Sequence, residues 1–151
     1  MKKIFFLAAA MLLTLAASAE VIPANDSRVT YVGRTQVIDN TVSFDWTATY
    51  FRIAFSGNSL TMRASDTKWD ATPEMAAKRH NYYNVWIDSP TSAEPHRIIE
   101  VAGNDTVIEL IDPAYLKKSR RAVHEVIVQK RTEGEQGKTT IHEFATDGKF
   151  F

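Results

Sequence analysis

The chain has 151 residues, 44% of them hydrophobic and 24% charged, with 6 Gly, 5 Pro and no Cys. This composition excludes collagen-like, coiled-coil and wholly disordered chains, and it removes disulfides, thiolate nucleophiles and cysteine-rich zinc sites. The 18 basic and 18 acidic residues balance, so no positive field is available for a phosphate backbone and nucleic acid is not expected as a partner.

Residues 1–19 read as an export signal. Lys2 and Lys3 form a positive start, Ile4 to Leu15 is an apolar run broken only by Thr14, and Ala17-Ser18-Ala19 places small residues where a signal peptidase reads them, with cleavage before Glu20. The run is too short to span a bilayer comfortably, and no other stretch is apolar enough to cross one, so no membrane partner is expected after cleavage. The remaining 132 residues carry 16 basic and 18 acidic side chains. That length suits one domain with a real core, placed in the periplasm or outside the cell. Residues 20–28 read as a lead-in and 29–151 as the domain.

Beyond the lead-in the sequence alternates. Val42, Phe44 and Trp46 fall on every second residue, as do Thr49, Phe51, Ile53 and Phe55. The turn Ser56-Gly57-Asn58, followed by Leu60 and Met62, reads as a β-hairpin. Ser65 to Asn81, carrying Trp69 and His80, reads as the longest loop. Within it, Thr72-Pro73-Glu74 has an N-cap and a proline at the first helical position, leading to Lys78. Tyr83, Val85 and Ile87 alternate before the turn Asp88-Ser89-Pro90. Ile99 and Val101 lead into Gly103-Asn104-Asp105, and Thr106, Ile108 and Leu110 follow. Asp112-Pro113 starts one helical turn through Tyr115 and Leu116. His124, Val126 and Val128 form another strand, Thr132 to Gly137 a hairpin loop with at least one positive φ, and Ile141 a last strand running towards Phe144. A period of two with frequent turns predicts an all-β antiparallel sandwich or jelly roll with short helical connectors. The two terminal aromatics, Phe150 and Phe151, read as exposed, and the ending as that of a chain cut short or lacking its next domain.

Chemistry-bearing motifs are few. Ser56-Gly57-Asn58-Ser59 resembles the Gly-Asp-Ser block of esterases only in composition, because a nucleophilic serine needs a strand-to-helix turn beside a base and an oxyanion hole. His80, His96, His124 and His142 have no metal-binding spacing. His124 is in phase with Val126 and Val128, which predicts a buried histidine with a hydrogen-bond partner. No phosphate loop is present, and no cofactor or metal is expected. The aromatics are the better lead, because apolar sugar faces stack on such rings. In Asn81-Tyr82-Tyr83-Asn84-Val85-Trp86, Tyr82 and Trp86 share a face opposite Tyr83 and Val85. With Tyr83 inward, Tyr82 and Trp86 are expected as a solvent-facing strip, and Trp69 as a third carbohydrate-binding candidate.

Several blocks in order carry a family resemblance. They are Tyr31-Val32-Gly33-Arg34, Val42 to Trp46, Tyr50 to Leu60, Asn81 to Asp88, and His124 to Gly134 with its Lys130-Arg131-Thr132-Glu133. The chain from Val29 to Phe151 resembles the N-terminal β-sandwich (jelly-roll) domain of carbohydrate esterase family 2, acetylxylan esterase-like proteins that remove acetyl groups from plant polysaccharides. The resemblance implies that catalysis belongs to a following SGNH-type domain. No residue of this chain matches a catalytic position, so none is assigned. The expectation is a non-catalytic accessory domain that packs against or assists that missing domain, with plant polysaccharide as a possible ligand. Two rivals are a self-standing carbohydrate-binding module, and an enzyme built around His124 or His80 with nearby acids.

Overall fold

Alternation becomes two antiparallel sheets packed face to face. The computed structural model describes residues 19–69 and 72–151, so residues 1–18 of the expected export signal lie outside the described residues. The strands in chain order are β1 (Glu20–Pro23), β2 (Thr30–Val32), β3 (Gln36–Ile38), β4 (Thr41–Phe44), β5 (Tyr50–Phe55), β6 (Leu60–Thr67), β7 (Asn81–Ile87), β8 (Arg97–Val101), β9 (Thr106–Glu109), β10 (His124–Lys130) and β11 (Lys138–Thr146). The first sheet runs β3-β4-β11-β6-β9, with β1 also on β11. The second runs β2-β5-β10-β7-β8. The segment 20–28 belongs to this sandwich, since β1 pairs with β11 and Ile22 enters the core.

The alternating residues meet where their period requires. Phe51, Ile53 and Phe55 of β5, Val126 and Val128 of β10, and Tyr83, Val85 and Ile87 of β7 face Leu60, Met62 and Ala64 of β6 and Ile141 and Phe144 of β11. Ile141 and Phe144 are three residues apart, which strict alternation would place on opposite faces. A bulge at His142 restores the phase: Ile141 pairs with Ala64 and Glu143 with Arg63, and His142 stands between them.

Two turns differ from their expected role. Ser56-Gly57-Asn58 and Thr132 to Gly137 do not close hairpins. Each carries the chain from the second sheet to the first, because β5 and β6 lie in different sheets, as do β10 and β11. Alternation fixes which face is apolar and says nothing about which strand is the neighbour. The positive φ expected in the second turn is at Gly137 (+127°). A Cβ there would sit 2.7 Å from the Thr67 carbonyl oxygen.

The expected long loop is shorter than predicted, since β6 runs on through Thr67. Both helical connectors form. α1 (Pro73–Ala76) is capped by Thr72, whose hydroxyl accepts from the Met75 N–H. α2 (Pro113–Lys118) is capped by Asp112, accepting from the Ala114 N–H. The two terminal aromatics part company. Phe150 is buried, bridges to Phe55 and donates its N–H to Glu20 Oε2 at 2.7 Å, while Phe151 alone is exposed.

Candidate functional site

One end of the sandwich is built on a buried polar knot. Asp66 ends the inner face of β6, Asn81 starts β7 and Lys130 ends β10; all three are buried. Asn81 Nδ2 donates to Asp66 Oδ1 at 2.7 Å, and Asn81 Oδ1 accepts from the Lys130 ammonium and, at 3.0 Å, from the Thr132 hydroxyl. Lys68 pairs with Asp66 Oδ2, and Lys130 Nζ also reaches the Glu133 carbonyl oxygen at 3.4 Å. The knot therefore fastens the two sheets together at the β6–β7 and β10–β11 crossings.

Burial pushes the Lys130 ammonium down to about 8, against the opposing attraction of Asp66 and Asp45. The unfolded chain holds this proton up to the ordinary lysine range, whereas the native chain releases it near pH 8. Between those values the unfolded state binds more protons, so this group makes stability rise with pH, on the order of 3 kcal/mol in full. Burial also raises the Tyr83 and Tyr31 hydroxyls above the ordinary tyrosine value, and their opposing effect sets in only as the pH approaches that ordinary value, about 10, where the unfolded chain begins to lose those protons. Urea unfolding at pH 7.5, 8.5 and 9.5 is expected to show the rise in the parent and a flattened one in Lys130→Met. Equal slopes in both would remove the assignment.

Two exposed tryptophans hang from the knot. The backbone of Lys130 holds the turn after β4 through Ala48 N–H to Lys130 O and Lys130 N–H to Thr49 O, both 2.9 Å. That turn carries Trp46, which leaves the strand after Phe44 and stands 54% exposed, not in phase with the core as the alternation suggested. Trp69 follows Lys68 and is 41% exposed, with its indole N–H fixed on the Gly134 carbonyl at 3.0 Å. Trp46 and Trp69 line one groove of about 270 Å³ with Phe44 and Asp45. The Arg34 guanidinium lies 4.5 Å over the Trp46 ring and the Lys138 ammonium 5.9 Å over the Trp69 ring. Fixed aromatic rings beside hydrogen-bonding groups are suited to stacking and orienting a sugar.

The expected strip of Tyr82 and Trp86 is not formed at the surface. The two residues share a face of β7, and Tyr83 points inward with 1% exposure, as the period requires. Tyr82 is exposed and stacks on His80 (5.9 Å, 19°). Trp86 is only 4% exposed, because the β7–β8 connection folds over it and Ala93 accepts its indole N–H at 2.8 Å. A single strand's alternation cannot reveal that a loop covers its outer face. Of the three candidates, Trp69 joins the groove, and its partner there is Trp46. The sequence signal that could have paired them was the end of alternation at Asp45, together with the turn it implied.

The histidines make separate pairs. His124 is buried, as its phase predicts, and its Nδ1–H donates to Asp88 Oδ2 at 2.7 Å. Asp88, Ser89 and His124 line a broader groove of about 720 Å³ with Arg52, Arg121 and Glu125. The relay stops at the imidazole: no hydrogen bond joins Ser89 to His124 among the described residues. His80 pairs with Glu100 at 2.5 Å on the surface. Ser65 Oγ meets His142 Nε2 at 2.7 Å, a contact created by the β6–β11 register and invisible to spacing. Ser65 lies on outer strand surface, and its oxygen already accepts from the Asp105 N–H. Among the described residues no group of three metal-ligating side chains converges, and no helix is long and apolar enough to cross a membrane.

Comparison with known proteins places this architecture. The family model for the carbohydrate esterase 2 N-terminal domain matches residues 31–151. No curated protein sequence matches. A family two carbohydrate esterase from Cellvibrio japonicus superposes with TM-score 0.68 at 20% identity, over 89% of this chain and 35% of that one. An acetyl xylan esterase, Est2A, from the rumen bacterium Butyrivibrio proteoclasticus superposes with TM-score 0.63 at 11% identity, over 89% and 33%. The chain thus spans about a third of these esterases. A carbohydrate-binding module, CBM36, in complex with calcium and xylotriose superposes with TM-score 0.53 at 10% identity, over 87% of this chain and 99% of the module. At these identities the likeness shows the fold, a β-sandwich of jelly-roll type.

Proposed function

The chain belongs to the carbohydrate esterase 2 N-terminal family, and from that premise we propose that it is the non-catalytic accessory domain of an exported carbohydrate esterase. In this reading it packs against or assists an SGNH-type domain that removes acetyl groups from polysaccharide. The observation that carries it is the match over residues 31–151 combined with coverage of only 35% and 33% of two esterase chains. The chain's own chemistry agrees. Among the described residues no hydroxyl is bonded to the Asp88–His124 pair, and the Ser65 oxygen of the Ser65–His142 pair already accepts from the Asp105 N–H.

A second reading, a carbohydrate-binding module, is favoured by the Trp46–Trp69 groove and by the CBM36-like fold. The two are compatible, since a domain can hold the polymer while a neighbour cuts its esters. The purified chain is expected to release no acetate from acetylated xylan above buffer, yet to be retarded by xylan in affinity electrophoresis. Trp46→Ala and Trp69→Ala should each weaken retention about tenfold, the loss of one stacked ring. Acetate release would overturn the non-catalytic reading. Retention unchanged in both variants, or absent in the parent, would overturn the binding reading.

A further inference from the structure

We propose that the Trp46–Trp69 groove selects a sugar bearing a carboxylate, a uronic acid residue, rather than a neutral sugar; the inference rests on the sugar-binding reading of that groove. Its basis is the placement of two cations. Arg34 and Lys138 both line the groove, each over one of its tryptophans. Among the described residues neither has an acidic partner within salt-bridge range, whereas Arg28, Arg52, Arg63 and Lys68 all do. What sets these two apart is position: both line one hollow, each over one of its tryptophans. Asp45, also in the lining, leaves the groove with a net positive charge on a mature chain that is slightly acidic overall.

The geometry fits a carboxylate. Arg34 lies 4.5 Å over the Trp46 ring in the groove lining, and a guanidinium offers paired N–H groups that match a planar, bidentate acceptor. Lys138 adds a second positive charge across the groove. Trp46 and Trp69 supply apolar wall for the sugar, and Gln36 and Asp45 offer polar groups to its hydroxyls. A volume of about 270 Å³ suits one such residue, not a long stretch of chain. A neutral sugar would be stacked equally well but would leave both cations without a partner. Specificity then comes from the charge, and stacking supplies the common affinity.

The test is titration calorimetry of the full chain with three polymers: xylan carrying glucuronic acid side groups, the same xylan after reduction of its carboxyl groups, and polyglutamate as an acidic chain without sugar. Binding to the uronate xylan is expected to be about tenfold tighter than to the reduced polymer. Arg34→Gln should remove most of the preference, read as the ratio of the two Kd values within the variant, with an unaltered Tm to show that the fold persists; a ratio equal to the parent's would overturn the inference. Equal binding of both xylans would overturn the uronate inference and leave the sugar-binding reading intact. No binding to either xylan would overturn both. Binding of polyglutamate as tight as that of the uronate xylan would reduce the effect to charge alone and overturn it as well.

Discussion

Asp66→Ala is expected to cost about 3–5 kcal/mol of folding stability, the range for breaking a buried ion pair from one side. Asp66 is buried at the inner face of β6, accepts from Asn81 and pairs with Lys68. It is also the leading carboxylate acting on Lys130, whose ammonium is buried and hydrogen-bonded only to neutral oxygens. Removing the carboxylate strands a buried lysine, a second lysine and an amide N–H together. Removing the lysine is a different experiment. In Lys130→Met the carboxylate keeps Lys68 and Asn81, and the new side chain fills most of the old volume, so the loss should stay within about 1 kcal/mol. The double variant should be less destabilised than the two losses added, because methionine removes the charge that Asp66 was needed to balance. Urea denaturation of the four proteins checks this. An Asp66→Ala loss below about 1 kcal/mol, or strict additivity in the double variant, would show that the knot does not hold the end of the sandwich. Against a typical stability of about 5–15 kcal/mol, the expected loss is large enough to loosen the Trp46 and Trp69 supports before the domain unfolds.

The difference between what was legible in the sequence and what was not follows from the range of each signal. Phe51, Ile53 and Phe55, or Val126 and Val128, announce their strand and its buried face by spacing alone, and all of them enter the core. Thr72 and Asp112 announce their helix starts, because a cap acts within three residues. Pairing is a long-range property. Nothing near Gly57 says that the chain is about to change sheets, and nothing near Ile141 says that a bulge will bring Phe144 onto the same face. The site was the least legible part for the same reason. Asp66, Asn81 and Lys130 are polar residues in core phase, which spacing marks only as anomalies, and their convergence depends on the sheet order. The spacing puts Trp46 in phase with Val42 and Phe44, but the strand ends between Phe44 and Trp46. Trp86 was placed on the surface by its phase with Tyr82, but a loop lies over it. Exposure of a ring is decided by what other segments do, and a two-residue period carries no record of that.

The strained residue at the other groove yields the second large effect. Asp88 follows β7 with φ +52°, a left-handed conformation that aspartate adopts at a cost and alanine at a higher one. Its side chain repays that cost locally. Oδ1 accepts from the Glu125 N–H at 3.0 Å, and Oδ2 accepts from the buried His124 Nδ1–H at 2.7 Å. Arg121 adds only a looser contact at 3.8 Å. Asp88→Ala removes both acceptors and keeps the backbone strain, so a loss of about 2–4 kcal/mol is expected. Asp88→Gly removes the same acceptors but tolerates the conformation, and should recover about 1 kcal/mol of that loss. Asp88→Asn keeps an acceptor and a residue suited to left-handed backbone, and should cost least, about 1 kcal/mol. The order Asn, Gly, Ala in increasing cost therefore separates the two contributions, and thermal unfolding of the three variants reads it directly. A glycine variant no more stable than the alanine variant would show that the backbone at Asp88 carries no strain. An asparagine variant as unstable as alanine would show that the carboxylate's charge beside His124, and not its acceptor geometry, holds the β7–β10 corner together.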